Sequence, residues 1–223
     1  MSWISKELEG MDFGDKRLNH RMESIANSFM KTPHQKVYHV GNKSEVKGAY
    51  RLFSNEKVLP SKIREPHHVK TAERARQYKT VLNLQDSSNI YFPCREKTQG
   101  LGTLVSSARA LEGSLTSHNS YLVTTDGLPL GLIDQQIWPR FSVCRGRSKN
   151  ERKNYLLNVP FEQKESMKWV NSMKAARERV DDSVNIINIG DREADIYEFM
   201  YASVNESSSF IVRAKNDRFV DLS

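Results

Sequence analysis

Two aspartates stand where a sheet could bring acids together. Asp86 follows Val81-Leu82-Asn83-Leu84-Gln85, and Asp191 follows Ile186-Ile187-Asn188-Ile189-Gly190. Both runs read as short strands. An acid at the end of a buried strand is carried by a rigid element toward the sheet edge where ligands bind. If the two strands are neighbours, the carboxylates converge. Converging carboxylates repel unless a cation lies between them, and Mg²⁺ favours such oxygen ligands. A metal held this way can make hydroxide from water and clamp a phosphodiester. A plainer reading stands beside this one. Asp commonly ends strands and caps helices, and Asp191 could simply cap the helix holding Ala194 and Tyr197.

The second chemical signal is charge. The chain of 223 residues carries a formal charge of +7, and the excess is uneven. Residues 1–79 hold 16 Lys+Arg against 9 Asp+Glu, whereas residues 80–223 hold 18 of each. A basic module joined to a neutral one suggests an anionic partner for the basic part, and nucleic acid is the commonest. Arg17, Arg21, Lys47 and Arg51 are the candidate phosphate or groove contacts, because outward-facing helical Arg and Lys suit phosphate binding. The alternative for each is a solvated helix face.

The elements that must carry these residues differ along the chain. Asp15 is a plausible N-cap for a helix with Leu18, Met22, Ile25, Ala26 and Phe29 on one stripe, ended by Pro33. A second helix is expected from Ser44, with Val46, Ala49, Tyr50 and Phe53 inward and Lys43, Lys47 and Arg51 outward. A further basic helix is expected over 67–78. Beyond residue 79 the character changes. Strands are expected at 80–86, 89–92, 120–125, 130–138, 184–191 and 209–214, with helices at 162–180 and 193–203. Asp126-Gly127 is a hairpin signal. This order suits an α/β domain with a mixed sheet behind a helical N-terminal domain, with the division at 1–78 and 79–223.

Composition excludes several classes. Apolar residues make 38% and charged residues 27%, too mixed for a disordered tail. No run of ~18 apolar residues offers a membrane span, and the start lacks an apolar signal core. Two cysteines, Cys94 and Cys144, are too few for a disulfide framework, so free thiols in a cytoplasmic protein are expected. His67-His68 lack companion ligands for zinc. The basic loop 145–153 reads equally as a DNA contact or a solvated loop, and Trp138 and Trp169 read as core or near-core aromatics.

Several segments together resemble a known family. Asn188-Ile189-Gly190-Asp191-Arg192-Glu193-Ala194-Asp195-Ile196 is similar to the Asp-Arg-Glu-Ala-Asp-Ile segment of the bacterial DDE transposases grouped with insertion sequence four and transposon five. Phe13-Gly14-Asp15-Lys16-Arg17 with Arg21 resembles the start of that family's DNA-binding domain. Gly48-Ala49-Tyr50-Arg51-Leu52-Phe53-Ser54-Asn55 resembles its Ala-Tyr-Arg-Phe-x-x-Asn stretch, and Leu84-Gln85-Asp86-Ser87-Ser88 its Gln-Asp-Thr-Thr stretch. Gly131 to Trp138, Lys164-Glu165-Ser166-Met167-Lys168-Trp169 and Phe210-Ile211-Val212-Arg213-Ala214 also match, in the family's order. The resemblance implies a helical transposon-end DNA-binding domain followed by an RNase H-like domain. It assigns Asp86 and Asp191 to Mg²⁺ or Mn²⁺ binding. It implies cleavage of a phosphodiester at a transposon end by water, then attack by the freed 3′-hydroxyl, hairpin formation and strand transfer. His118 matches a family histidine that reads as core or surface.

The family's third acid is a Glu in a Tyr-x-x-Arg-x-x-x-Glu helix, and no such string occurs in these 223 residues. The expectation is a C-terminally truncated transposase with an incomplete RNase H-like sheet, one face partly bare, inactive on its own. Its expected partners are double-stranded DNA at transposon ends, a second copy or a full-length transposase, and no membrane; its expected place is the nucleoid. The alternative is a non-catalytic transposon-end DNA-binding protein or an inhibitor of an intact transposase.

Overall fold

The computed structural model describes residues 2–34, 36–39, 41–95, 98–105, 110–140, 150–151, 154, 158–206, 208–215 and 217. Helices come first: α1 (Trp3–Glu7), α2 (Lys16–Lys31), α3 (Lys43–Phe53) and α4 (Pro60–Ala75). A mixed α/β part follows: β1 (Thr80–Tyr91), β2 (Gly102–Val105), β3 (Ala110–Thr124), β4 (Pro129–Trp138), α5 (Met167–Arg179), β5 (Asn185–Gly190), α6 (Tyr197–Asn205) and β6 (Ser209–Val212). The chain divides into two compact units, Met1–Lys70 and Thr71–Ser223, so the division falls inside α4. Among the described residues no helix is long and apolar enough to cross a membrane. Most of the basic loop 145–153, and Cys144, lie outside the described residues.

The helical unit forms for local reasons. Asp15 caps α2 by accepting the Arg17 N–H, and Asn42 caps α3 in a reciprocal box with Glu45. Met22 and Ile25 of α2 meet Ala49 and Leu52 of α3 in one core with Phe13 and Val58. Tyr50 and Phe53, expected inward, are instead exposed. Gly48 and Ala49 bring α3 close to its neighbours on one narrow side, which leaves no room there for a ring. Pro66 lies inside α4 and removes one helix hydrogen bond without ending the helix. Pro60 at the first helical position starts it several residues earlier than expected.

The sheet runs β2-β3-β1-β5-β6, with β4 also on β3. β1 is antiparallel to β3 and parallel to β5, and β5 is parallel to β6. The expected strands 80–86 and 89–92 are one continuous strand, because β3 pairs with β1 from Val81 to Tyr91. β3 begins ten positions before the expected Ser120. Its first ten residues, Ala110 to Asn119, lack a clear apolar alternation because the buried positions Ser114, Thr116 and His118 are polar. The β3–β4 hairpin turns at Gly127, whose φ of +91 is open to glycine, as its Asp-Gly signal requires.

One face of the sheet is covered. Val81, Leu122, Ile133 and Ile186 pack with Ala176 and Val180 at the end of α5 and with Ala72 and Ala75 of α4. Toward the other end of α5, Trp169, Val170 and Met173 pack with Ala194 and Phe199. The opposite face carries an in-register row, Leu132, Tyr121, Leu84, Ile189 and Ile211, across five strands. Leu84, Tyr121 and Ile211 in this row are exposed.

Between these apolar clusters the covered face is polar. Asn83 Nδ2 donates to Asn188 Oδ1 at 2.9 Å, joining β1 to β5 in register. Gln85 Nε2 donates to the same oxygen at 3.4 Å, and Ser120 Oγ donates to Asn83 Oδ1 at 2.6 Å. Because Gln85 turns its Nε2 to Asn188, its Oε1 faces His118 Nε2 at 3.2 Å. His118 therefore carries its proton on Nε2 and accepts from Ser87 Oγ at Nδ1, 2.9 Å away. Burial, with the Lys168 ammonium nearby, holds His118 down to about 4.

Two outcomes follow from this network. Asn188→Leu leaves the Asn83 and Gln85 amides without their shared acceptor in a buried setting. It should lower unfolding free energy in urea by about 1–3 kcal/mol. His118 is neutral when folded and protonates near its ordinary value of 6.5 when unfolded. Between those values the unfolded chain holds the extra proton, so stability falls as pH drops from 6.5 toward 4. The loss approaches about 3 kcal/mol. Urea melts across that range should show a shallower pH slope for His118→Asn than for the wild type.

Candidate functional site

The two candidate regions belong to different units. In the helical unit, the basic residues flank α3 in two grooves. One, about 540 Å³, is lined by Lys16, Arg17, His20 and Arg21 of α2 and by Ser44 and Glu45 of α3. The other, about 550 Å³, is lined by Tyr38, Lys43, Lys47, Tyr50 and Arg51. Arg17 and Arg21 thus share one groove, and Lys47 and Arg51 share the other. α3 is the element common to both.

Each cation is held differently. The Arg17 side chain is 91% exposed and pairs with Asp15, Nη2 to Oδ2 at 2.9 Å. Its guanidinium holds the Asp15 carboxyl below the usual carboxylate range. Arg21 lies across Gly48: a Cβ there would overlap its guanidinium. The glycine therefore seats an α2 cation directly against the backbone of α3. Tyr50 and Tyr38 are about half exposed and join the Lys47 and Arg51 groove as aromatic walls. Exposed rings beside cations are surfaces for stacking and phosphate contact together. From the sequence Tyr50 is expected inward, and Tyr38 carries no assigned role. The buried stripe of α3 is Gly48, Ala49 and Leu52, and Tyr50 falls beside it rather than in it.

In the α/β unit, the parallel pairing of β1 with β5 runs from Thr80 and Asn185 to Leu84 and Ile189. Continued two places, that register sets Asp86 level with Asp191. Alternation puts Asp86 on the face away from α5, since Asn83 and Gln85 are buried toward it, whereas Asp191 is the first residue past β5. Both acids are exposed. Asp86 lies in mid-strand rather than at the end of β1, opposite Asn119 of β3. It is the end of β5, not of β1, that brings Asp86 to an edge. Neighbouring strands are about 4.8 Å apart, so two carboxylates at one register position suit a shared divalent cation. Their exposure fits that group. Among the described residues no group of three or more His, Cys, Asp or Glu forms a metal cluster.

The turn after β5 is built tightly. Asp191 Oδ1 accepts the Glu193 N–H at 2.8 Å and caps the short turn Arg192–Ala194. The expected helix over 193–203 begins only at Tyr197. Ile196 is extended, and Asp195 is buried and accepts the Lys215 N–H at 2.7 Å. Glu193 pairs with Lys168 at 3.0 Å, and this ammonium holds the Glu193 carboxyl below its ordinary range. Sequence reasoning matched the Lys164 to Trp169 segment but gave Lys168 no task; 25 residues separate it from Glu193, and no local pattern links them.

His67 and His68 are occupied within the helical unit, His67 with Glu7 at 2.6 Å and His68 facing Glu65. Cys94 is exposed and free.

The sequence model of the transposase DNA-binding family matches residues 1–58. That span covers α1 to α3 with their common core and both basic grooves. Over those residues the helical N-terminal unit is similar to a transposase DNA-binding domain.

Proposed function

We propose that this chain is a transposase of the DDE group related to insertion sequence four and transposon five. In this reading its helical unit binds transposon-end duplex, and its RNase H-like sheet presents Asp86 and Asp191 to a divalent metal. The observation that supports the reading is the parallel register of β1 against β5, which pairs Leu84 with Ile189, each two residues before one of the acids. The transposase DNA-binding match at residues 1–58 supports the same substrate.

The roles divide by chemistry. Arg17, Arg21, Lys47 and Arg51 hold backbone phosphates on either side of α3 and orient the duplex. Asp86 and Asp191 are the residues that would hold Mg²⁺ or Mn²⁺. A metal bound there supplies acidification of water and charge neutralisation at a phosphodiester. The Asn83–Asn188 pair keeps the strands of both acids in step. The Tyr-x-x-Arg-x-x-x-Glu string that supplies the family's third acid is not among these 223 residues. In this reading cleavage needs a third acid besides Asp86 and Asp191.

A second reading is a non-catalytic end-binding protein that occupies DNA and inhibits an intact transposase. It is favoured by one feature: the DNA-binding unit has its own core and both grooves, independent of the acids.

The two readings separate in vitro. Gel shifts on a transposon-end duplex should weaken linearly in log–log with salt. Lys47→Ala and Arg51→Ala should each reduce the slope by ~0.9, the share of one phosphate contact. Equal affinity for end and random duplex counts against end recognition. With Mg²⁺, the enzyme reading expects nicking at the end that Asp86→Ala abolishes. Binding without nicking, or nicking that survives Asp86→Ala, overturns it in favour of the second reading or of another site.

A further inference from the structure

We infer that Lys168 is a positioning residue for Asp191, acting through Glu193; the inference rests on reading Asp86 and Asp191 as the metal-holding pair. The turn that carries Asp191 is clamped from two sides by consecutive residues of α5. On one side Trp169, which is fully buried, lies under Gly190. A Cβ on Gly190 would sit 3.2 Å from Trp169 Cζ3 and overlap the Ala194 side chain. On the other side Lys168 Nζ holds Glu193 Oε2 at 3.0 Å. Asp191 lies between these two grips, with Oδ1 committed to the Glu193 N–H. That commitment fixes the carboxylate and leaves Oδ2 for a cation.

The burial is lopsided in an informative way. The Lys168 side chain is only 5% exposed, whereas that of Glu193 is 64% exposed. A buried ammonium must be paired, since desolvating it alone is costly. Lys168 meets this need at Glu193, with Glu165 Oε1 farther off at 3.8 Å. Its backbone is also anchored, because Gln136 Nε2 of β4 donates to the Lys168 carbonyl at 2.9 Å. The fixed partner is therefore the lysine, and the partner being held is the turn. Outer partners of metal-binding carboxylates restrain their orientation and typically control about 10–100-fold in metal affinity.

The geometry also permits an opposite role, in which Lys168 keeps Glu193 from reaching the metal as a further ligand. The sign of one measurement separates the two. The full chain is titrated with Mn²⁺ by calorimetry, and amide hydrogen exchange at Glu193 is followed by NMR. Lys168→Met should weaken Mn²⁺ binding by at least about tenfold and speed exchange of the Glu193 N–H. Lys168→Arg, which can still pair, should restore both. Tighter or unchanged Mn²⁺ binding in Lys168→Met overturns the inference, as does unchanged exchange. If Lys168→Met does not fold, Glu193→Gln attacks the same pair from its exposed side. It should speed its own amide exchange and weaken Mn²⁺ binding, and unchanged exchange overturns the inference. Asp191→Asn tests the underlying reading separately. Mn²⁺ binding that survives it removes Asp191 as a ligand, while the exchange rates still report whether Lys168 holds the turn.

Discussion

Everything in the α/β unit hangs on a single buried amide pair, Asn83 to Asn188, between the central strands β1 and β5. Both side chains are fully buried. An amide in that setting is tolerated only with its partners in place, and these two partners exist at one register alone. A slip by one residue would face each amide with an aliphatic group and turn the apolar positions of the slipped strand to the wrong side. The pair thus sets the alignment of β1 with β5. One residue further the pairing ends, at Leu84 and Ile189, two residues before Asp86 and Asp191. An apolar pair at these positions would bind the strands as firmly but would specify their register less.

The network around that pair extends the restraint. Gln85, His118, Ser87 and Ser120 link the amides to β3, so three strands share one set of hydrogen bonds. His118 also packs edge-on against Trp169, with ring centroids 4.6 Å apart. Trp169 in turn lies beneath Gly190. The polar chain on one face of the sheet is therefore continuous with the aromatic packing that seats the Asp191 turn. A sheet with one covered face and one open face can hold acids outward this firmly because the rigidity resides on the covered side.

The helical unit follows a different logic. Its positive charge is not a uniform coat but is split by α3 into two grooves, each holding two of the basic residues singled out by charge and resemblance. Gly48 lets the Arg21 guanidinium lie against α3, and the absence of a side chain there is what creates the seat. Arg17 is already paired with Asp15, so phosphate contact at this position exchanges one anion for another. The aromatic walls of the second groove belong to Tyr38 and to Tyr50, the latter expected inward on the helix face.

The amino-acid sequence by itself determined the kind and order of the longer elements, though not the short α1 or β2. The capped, apolar-striped α2, the hairpin at Gly127, the switch from helices to strands near residue 79 and the acids after apolar runs are local patterns, set by side chains a few positions apart. Tertiary structure alone decided the rest. It fused the two expected strands around Ser87 into β1, because β3 supplies partners along the whole length. It recruited the weakly patterned Ala110 to Asn119 as strand, because Ser114, Thr116, Ser117 and His118 find hydrogen-bond partners or burial that no local pattern announces. It also paired Lys168 with Glu193 and made Asp86 an edge residue by ending β5 rather than β1. Those outcomes depend on which segments meet, and hydrogen bonds and charge pairs between distant segments leave no period in the chain to be read.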